Sequence, residues 1–279
     1  MRVAVVGLGA IGGSLALATG ARGFDVAAAA REAARARGVD VADDLARAVR
    51  DADVAVAAVP PAALADTLLA MGRAAPAATL TDVASSKREL ESVARRLPAA
   101  ARLVGGHPLA GSTRRGAAAA DAALFRGRPW ALVPTSRSDV ESMRRAGELA
   151  RRAGARPIVL SVERHELLMA WLVRAPLAVA SALTWSASVE SPEGLTELAG
   201  PGFRDTTRLA ATPAPLAAEL LFGADARRLA VVLRAVAATL TEWAEEIGRD
   251  ETAAVGAELD AARDLRAQLD RVNEDSSAK

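Results

Sequence analysis

The stretch VAVVGLGAIGG at residues 3–13 decides the fold of this 279-residue chain. Its β-branched start and G-x-G-x-x-G spacing predict a strand, a tight turn and the beginning of a helix. Gly7 permits the turn, Gly9 lets the backbone approach a pyrophosphate, and Gly12 lets the helix pack closely on the strand. The helix N-terminus then offers unpaired N–H groups to the phosphates. The predicted cofactor-binding loop consists of Gly7, Leu8, Gly9, Ala10, Ile11 and Gly12.

Strand and helix patterns alternate up to residue 160, which predicts a Rossmann-type doubly wound parallel sheet in an α/β domain. The predicted strands are 3–6, 25–30, 53–59, 79–83, 103–104, 131–134 and 157–160. Beyond residue 161 only helical patterns remain, at 162–188, 214–222, 224–248 and 251–270. We therefore predict a dinucleotide-binding domain over 1–160, an all-helical substrate and dimerisation domain over 161–270, and a disordered polar tail over 271–279.

The composition excludes several classes of partner. The formal net charge is +1, which argues against nucleic-acid binding through bulk electrostatics. The absence of cysteine excludes disulfides and a thiol nucleophile, and two histidines far apart in sequence argue against a metal site. We identify no apolar run of membrane-spanning length, and the early glycines argue against a secretion signal. The composition favours a cytoplasmic enzyme with a small-molecule partner and no metal, nucleic acid or membrane.

The end of the second predicted strand bears on the type of dinucleotide. In NAD-binding proteins an acidic residue at this strand tip accepts hydrogen bonds from the adenosine ribose. Here the tip of the strand over 25–30 is Ala30, and Arg31 follows it. A missing carboxylate beside an arginine favours NADP over NAD. The alternative is that Arg31 is a surface arginine and that Glu32 binds the ribose.

His107 lies in GGHPLAG at 105–111, directly after the strand over 103–104. This position predicts a loop at the carboxyl ends of the strands, where ligands bind in such sheets. Histidine also exchanges protons near neutral pH. His107 is therefore a candidate catalytic residue, and the alternative is a loop histidine that caps a backbone group.

Two neighbouring serines, Ser85 and Ser86, stand at the start of the helix predicted over residues 86–97. Ser86 and Glu89 have the spacing of a capping box, so Ser86 is predicted to be the N-cap. Ser85 is then left to point into the cleft, and the alternative reverses the two roles. Asp82, at the same strand end, is predicted to be a structural turn residue.

Five stretches together resemble the prephenate/arogenate dehydrogenase family of tyrosine biosynthesis, and the resemblance spans about residues 2–260. They are GLGAIGGSLA at 7–16, TDVASSK at 81–87, GGHPLAG at 105–111, GFRDTTRLA at 202–210 and a looser match over 165–176. The resemblance implies NAD(P)-dependent oxidative decarboxylation of a cyclohexadienol, such as prephenate to 4-hydroxyphenylpyruvate. It also implies a homodimer formed through the helical domain.

The resemblance assigns roles to several residues. It implies that His107 takes the proton of the ring hydroxyl, with Ser85 beside it. Arg208 is expected to bind the substrate side-chain carboxylate through a bidentate contact, with Arg204 as support. His165 is expected to cap or to pack at the domain junction.

Two departures from the family pattern concern the substrate. Val173-Arg174-Ala175-Pro176-Leu177 stands where the family commonly has serine-histidine-leucine-proline-histidine, and residues 112–115 lack the glutamate often found there. The added cation at Arg174 is therefore a candidate substrate-binding group and favours prephenate over arogenate.

Other functions remain as alternatives. One alternative is an enzyme that dehydrogenates arogenate or an amino-substituted prephenate analogue. Another is a catalytically impaired NAD(P)-binding regulatory protein, which would be consistent with the loss of the two family histidines. A 3-hydroxyacid dehydrogenase is disfavoured because residues 162–188 contain no lysine.

Overall fold

A computed structural model describes residues 1–110, 116–222, 225–249 and 252–277. The chain divides into two compact units. The first contains Met1–His165 and the chain end from Val272, and the second contains Glu166–Arg271. The predicted domain limits of 160 and 161 fall close to this division and stay a prediction.

The first unit is built on a seven-stranded sheet of order β2-β1-β3-β4-β5-β6-β7. Its strands are β1 (Val3–Val6), β2 (Arg22–Phe24), β3 (Val54–Ala57), β4 (Thr79–Asp82), β5 (Arg102–Pro108), β6 (Pro129–Pro134) and β7 (Arg156–Val159). Its helices are α1 (Ala10–Thr19), α2 (Ala28–Ala36), α3 (Leu45–Val49), α4 (Pro61–Ala74), α5 (Leu90–Arg96) and α6 (Val140–Arg152), with a 3₁₀ turn at Ala117–Ala119. The strand order confirms the predicted doubly wound sheet.

Two apolar cores cover the two faces of this sheet. All four residues of β1 are buried, and they alternate between the cores: Val3 and Val5 join one, Ala4 and Val6 the other. Helices α1 and α6 contribute to the first core, and α4 and α5 contribute to the second. Burial on both faces explains why the central strands have continuous apolar sequences.

The second predicted strand, over 25–30, is wrong. Gly20 adopts a left-handed conformation (φ +66°) that ends α1, so the chain turns early and Arg22–Phe24 pair with β1. Residues 28–36 are rich in alanine and arginine, which favour a helix, and they form α2 instead. The strand therefore ends at Phe24, and the residue after its tip is Asp25 rather than Arg31.

One strand pair departs from the predicted parallel arrangement. β5 and β6 run antiparallel, with Gly106 opposite Leu132 and His107 opposite Ala131. A parallel pair needs a crossover connection, usually a helix. In the described part of the connection between β5 and β6, the helical structure is the short 3₁₀ turn at Ala117–Ala119.

The described part of the second unit is helical. The chain enters it through α7 (Val162–Met169) and a π-helical turn at Ala170–Arg174. It continues as α8 (Ala175–Glu190), α9 (Leu195–Leu198), α10 (Pro201–Thr207), a 3₁₀ turn at Arg208–Ala211, α11 (Ala214–Phe222), α12 (Ala226–Gly248) and α13 (Thr252–Ser277). A small core forms from Ala170, Ala175, Leu229 and Val232.

Helix α13 extends into the segment predicted to be a disordered tail, and that tail stays a prediction. The helix continues to Ser277, whereas a disordered tail was expected from residue 271. Arg271 and Glu274 are good helix formers, and each residue added to an existing helix gains one backbone hydrogen bond. Residues 278 and 279 lie outside the described part of the chain.

The helical run Val162–Glu190 corrects a second expectation. By length and composition alone it could cross a membrane, since its most apolar window has a mean hydropathy of 1.7. The sequence prediction overlooked this run because Arg174 interrupts it. Core helices of soluble proteins have the same length and composition, so these two properties do not by themselves assign a membrane.

Candidate active site

The glycine loop has the geometry that a dinucleotide requires. A Cβ atom at Gly7, where φ is +97°, would lie 2.2 Å from the carbonyl oxygen of Ala58, and one at Gly12 would lie 1.9 Å from the carbonyl oxygen of Gly7. These two glycines are therefore required for packing. A Cβ atom at Gly9 would meet no atom within 4 Å. The open space at Gly9, next to the N-terminus of α1, fits the pyrophosphate of a bound dinucleotide.

Asp25 lies between β2 and α2 and contacts the glycine loop. Its Oδ2 accepts a hydrogen bond of 2.7 Å from the backbone N–H of Leu8, and its Oδ1 accepts one of 2.9 Å from Ala27. An acidic residue thus lies beside the glycine loop at position 25, whereas the sequence prediction considered position 30. The sequence signal was a glycine at position 20, because glycine commonly ends helices in the left-handed conformation.

Arg31 lies in α2 rather than at a strand tip. Its Nη1 donates to the carbonyl oxygens of Asp25 (2.6 Å) and Val26 (3.1 Å), and its guanidinium lies over the Phe24 ring at 5.9 Å from the centroid. These contacts hold the turn between β2 and α2. They also engage an N–H group of Arg31 that a ribose 2′-phosphate would need as a hydrogen-bond donor.

A buried ion pair organises the segment after β4. Nζ of Lys87 donates to Oδ2 of Asp82 at 2.5 Å and to the carbonyl oxygens of Ala84 (2.6 Å) and Ser86 (3.3 Å). Lys87 and Asp82 are fully buried. Asp82 also accepts from the backbone N–H of Ala84, as expected for a turn residue. Its other oxygen accepts from Gly106, beside His107.

The predicted capping role of Ser86 is wrong. Helix α5 begins at Leu90 with Glu89 as its N-cap, because the bonds of Lys87 hold the preceding residues in a loop. Ser85 lies exposed in this loop. In the part of the chain that the structure describes, no hydrogen bond joins Ser85 to His107, so its catalytic role stays a prediction.

His107 is part of β5 rather than of a loop, because that strand continues to Pro108 and pairs with β6. Gly105 and Gly106 make this possible: a Cβ atom at Gly105 would lie 2.8 Å from the Lys87 side chain, and one at Gly106 would lie 2.5 Å from the carbonyl oxygen of Asp82. The His107 side chain is 7% exposed. It lies near the carboxyl end of β5, and residues 111–115 of the motif region lie outside the described residues.

The second histidine of the chain contacts the first. Nδ1 of His107 and Nε2 of His165 are 2.9 Å apart, and the two rings meet edge to face with centroids 5.2 Å apart. His165 lies in the first turns of α7 and is fully buried. The sequence prediction of a capping or packing residue missed this contact, although the presence of only two histidines was a signal.

The two arginines predicted for the substrate carboxylate lie in the helical unit. Arg204 belongs to α10, and its Nε donates to the carbonyl oxygen of Ala199 at 2.8 Å. Arg208 begins the 3₁₀ turn that follows α10. Arg208 is exposed and has no carboxylate partner among the described residues.

Arg174 is buried in the helical unit with a counter-ion. Its Nη2 donates to Oε2 of Glu166 at 2.8 Å, and both side chains are almost completely buried. Nη1 of Arg174 has no hydrogen-bond partner among the described residues. The sequence prediction treated Arg174 as added positive charge, but Glu166, two helical turns earlier, balances that charge.

Comparison with known proteins places these features in one family. Residues 18–159 match the family model "Prephenate dehydrogenase, nucleotide-binding domain", and residues 161–259 match "Prephenate dehydrogenase, dimerization domain". The crystal structure of Synechocystis arogenate dehydrogenase is 26% identical and has a TM-score of 0.85; the match covers 96% of this chain and 100% of that one.

Two curated relatives match shorter segments. The probable prephenate dehydrogenase NovF of Streptomyces niveus is 36% identical over 179 residues, which are 59% of this chain and 48% of the relative. The prephenate dehydrogenase of Bacillus subtilis is 33% identical over 138 residues, 48% of this chain and 37% of the relative. The matched part thus spans less than half of either relative. Because the two family models together match most of the sequence, this chain belongs to the prephenate dehydrogenase family.

Proposed function

We propose that this chain catalyses the NAD-dependent oxidative decarboxylation of prephenate to 4-hydroxyphenylpyruvate, a step of tyrosine biosynthesis. The observation that carries the proposal is the buried His107 near the carboxyl end of β5, in a sheet whose first turn is an open glycine loop. Family membership and the names of the curated relatives support the same reaction.

The reaction sets a clear requirement for a base. A hydride leaves the ring carbon that carries the hydroxyl group, and the hydroxyl proton must leave so that a carbonyl forms there. Breaking the bond to CO₂ returns two electrons to the ring, and the oxygen regains a proton as a phenol. Bound in the glycine loop, the nicotinamide dinucleotide would supply the hydride acceptor. His107 would accept the hydroxyl proton, since a neutral imidazole is a suitable base near neutral pH.

The remaining candidate residues would bind or orient the substrate. Arg208, exposed and without a carboxylate partner in the described part of the chain, is available for a bidentate contact with a substrate carboxylate. Arg204 would support this segment through its bond to Ala199. The exposed hydroxyl of Ser85 would orient the substrate hydroxyl. Arg174 would donate one N–H from Nη1 without adding net charge, because Glu166 neutralises it.

The pairing of Arg174 with Glu166 bears on which substrate the site prefers. An unbalanced cation would favour prephenate, whose side chain lacks the amine of arogenate, but a neutral Arg174–Glu166 pair does not discriminate between them. The choice of prephenate therefore rests on the names of the curated relatives. Arogenate and an amino-substituted analogue are the alternatives to assay.

We also propose a preference for NAD over NADP. The second strand ends at Phe24, so the lack of a carboxylate at Ala30 does not favour NADP. Asp25 presents a carboxylate beside the glycine loop, where it would accept from ribose hydroxyls and repel a 2′-phosphate. Arg31 already donates to two backbone carbonyl groups.

A homodimer in the cytoplasm completes the proposal. The match to a dimerisation domain supports it, as do exposed apolar side chains on the helices of the second unit, such as Trp185, Leu240 and Ile247. Ultracentrifugation of a cell lysate tests the location. Recovery in the washed membrane pellet would contradict a cytoplasmic enzyme, and the run Val162–Glu190 would then be the first segment to test as a membrane anchor.

One assay tests the proposed reaction. Cofactor reduction is measured with prephenate, arogenate and amino-substituted prephenate, each with NAD and with NADP, and the product is identified by chromatography. We expect 4-hydroxyphenylpyruvate from prephenate, and a His107→Asn variant should lose about 10²–10⁴-fold in kcat with an unchanged Kd for the cofactor. Cofactor binding without turnover of any cyclohexadienol would refute an enzymatic function and favour a regulatory protein.

The cofactor preference has its own test. Asp25→Asn keeps a hydrogen-bond acceptor for Leu8 but removes the negative charge. We expect it to raise KM for NAD and lower KM for NADP, while Arg31→Ala changes both constants about equally. A rise in KM that is confined to NADP in Arg31→Ala would instead support binding of the 2′-phosphate by Arg31.

A further inference from the structure

We propose that His165 is a positioning residue that fixes the proton of His107 on Nδ1, so that Nε2 of His107 is the basic nitrogen offered to the substrate. This inference rests on the proposed function, in which His107 takes the hydroxyl proton. It assigns to His165 a role that neither packing nor capping would provide. The observation is the distance of 2.9 Å between Nδ1 of His107 and Nε2 of His165.

A contact of this length between two ring nitrogens is a hydrogen bond, so one nitrogen donates and the other accepts. A neutral imidazole carries one N–H and one lone pair, and the bond made by one nitrogen therefore fixes the state of the other. If His107 donates from Nδ1, its Nε2 carries a lone pair. If His107 accepts at Nδ1, its Nε2 carries the proton and cannot act as a base.

The elements that hold the two rings restrict their positions. His107 is fixed within β5 by pairing with Ala131 of β6. His165 lies in α7, where its backbone N–H donates to the carbonyl oxygen of Ser161 and the Ser161 hydroxyl accepts from Arg164. Both side chains are buried, at 7% and 0% exposure, so water does not readily replace this bond.

Proton transfer then strengthens the bond. When Nε2 of His107 accepts a proton, the ring becomes a cation in a buried site, which is unfavourable unless a partner stabilises the charge. Its Nδ1–H now donates to the lone pair of His165 as a charge-assisted bond, roughly twice as strong as a neutral one. His165 thus stabilises protonated His107 more than neutral His107. An interaction that strengthens as the reaction proceeds in this way can raise kcat.

The presence of only two histidines permits a direct spectroscopic test. In the full-length protein labelled with ¹⁵N-histidine, long-range ¹H–¹⁵N correlation shows which ring nitrogen carries the proton, and a His107→Asn variant assigns the signals. We expect His107 to be protonated on Nδ1 in the wild type and to shift towards the Nε2–H tautomer in His165→Phe. A wild-type His107 protonated on Nε2 would overturn the inference, whatever the activity.

Enzyme kinetics provide a second test, in which a conservative substitution of His165 should restore activity. His165→Phe should lower kcat by about 10–100-fold, as loss of an orienting partner commonly does, with little change in KM or in cofactor affinity. His165→Gln, whose side-chain oxygen can accept from Nδ1–H, should recover most of that loss. Equal kcat values in the two variants would contradict the positioning role. A wild type that turns over no cyclohexadienol would refute the proposed function, while the tautomer measurement still decides the inference.

Discussion

Nζ of Lys87 lies 2.5 Å from Oδ2 of Asp82, and neither side chain is exposed to solvent. The other oxygen of Asp82 accepts a hydrogen bond of 3.0 Å from the backbone N–H of Gly106, next to His107. One carboxylate therefore joins the loop that carries Ser85 to the strand that carries His107. The motif TDVASSK matters because it sets the position of the candidate base.

Replacement of Lys87 should be strongly destabilising. Lys87→Met leaves the buried carboxylate of Asp82 without its cation, which costs about 3–5 kcal/mol in such pairs. The free energy of unfolding by urea measures the loss. Arg95→Ala, which breaks an exposed pair with Glu91, is the control and should cost less than about 1 kcal/mol. If the Lys87 variant is too unstable to measure, Asp82→Asn/Lys87→Met should restore part of the stability; no recovery would argue against charge as the cause.

Two glycines of the cofactor loop, Gly9 and Gly12, should respond differently to alanine. Gly12→Ala places a Cβ atom 1.9 Å from the carbonyl oxygen of Gly7, so it should lower both the melting temperature and the affinity for NAD. Gly9→Ala meets no protein atom within 4 Å and should weaken NAD binding without a change in melting temperature. Calorimetric titration and thermal unfolding give the two quantities. Unchanged NAD affinity in Gly9→Ala would mean that the pyrophosphate does not approach this residue.

The buried pair of Arg174 and Glu166 should show strong energetic coupling. Arg174→Met leaves the buried Glu166 carboxylate without the charge of Arg174, and Glu166→Gln leaves the buried Arg174 guanidinium without the charge of Glu166. We expect either variant to lose about 3–5 kcal/mol. The double variant should be more stable than the sum of the single losses predicts. A double-mutant cycle on unfolding free energies measures the coupling. Additive losses would show that the two side chains act independently.

Asp139 makes stability depend on acid pH. The backbone N–H of Ser142 and, next, the Arg102 guanidinium stabilise its carboxylate and lower its pKa from 3.8 to about 2. Because the pKa is lower in the folded protein than in the unfolded chain, this stabilisation is present above the ordinary value and is lost as pH falls towards the lowered one. Between about pH 5 and pH 2, wild-type stability should therefore decrease more steeply than that of Asp139→Asn, which keeps the helix cap but does not titrate. Parallel stability curves for the two proteins would refute this contribution.

Assembly should depend on the exposed apolar side chains of the helical unit. Trp185 on α8 is 72% exposed in the single chain, and Trp185→Glu should shift the protein from dimer to monomer. Light scattering coupled to size-exclusion chromatography gives the mass. Val140→Glu is a matched control, since Val140 is 89% exposed in the first unit and lies in the first turn of α6, where an acidic residue is tolerated. A wild-type protein that is already monomeric would contradict the proposed dimer.

The local sequence determined the parts of this protein that depend on near neighbours. The glycine spacing after β1 and the alternation of apolar and helical segments were sufficient for the doubly wound sheet, because each element depends on its own periodicity and turn residues. The five matching stretches, among them those at 81–87 and 105–111, were together sufficient to indicate the family. The end of β2 was missed because the position of Gly20 as a helix terminus depends on how early the chain must turn to pair with β1.

Tertiary structure alone decided which charged and titratable groups meet. The sequence separates His107 from His165 by 58 residues, and it separates Asp82 from Gly106 by 24. It likewise treats Arg174 as a free cation, although folding pairs it with Glu166. Such contacts depend on the packing of distant elements and on the cost of burying a group without a partner, and a linear pattern records neither. The fold and the family thus follow from local sequence, whereas the surroundings of the candidate base follow from packing.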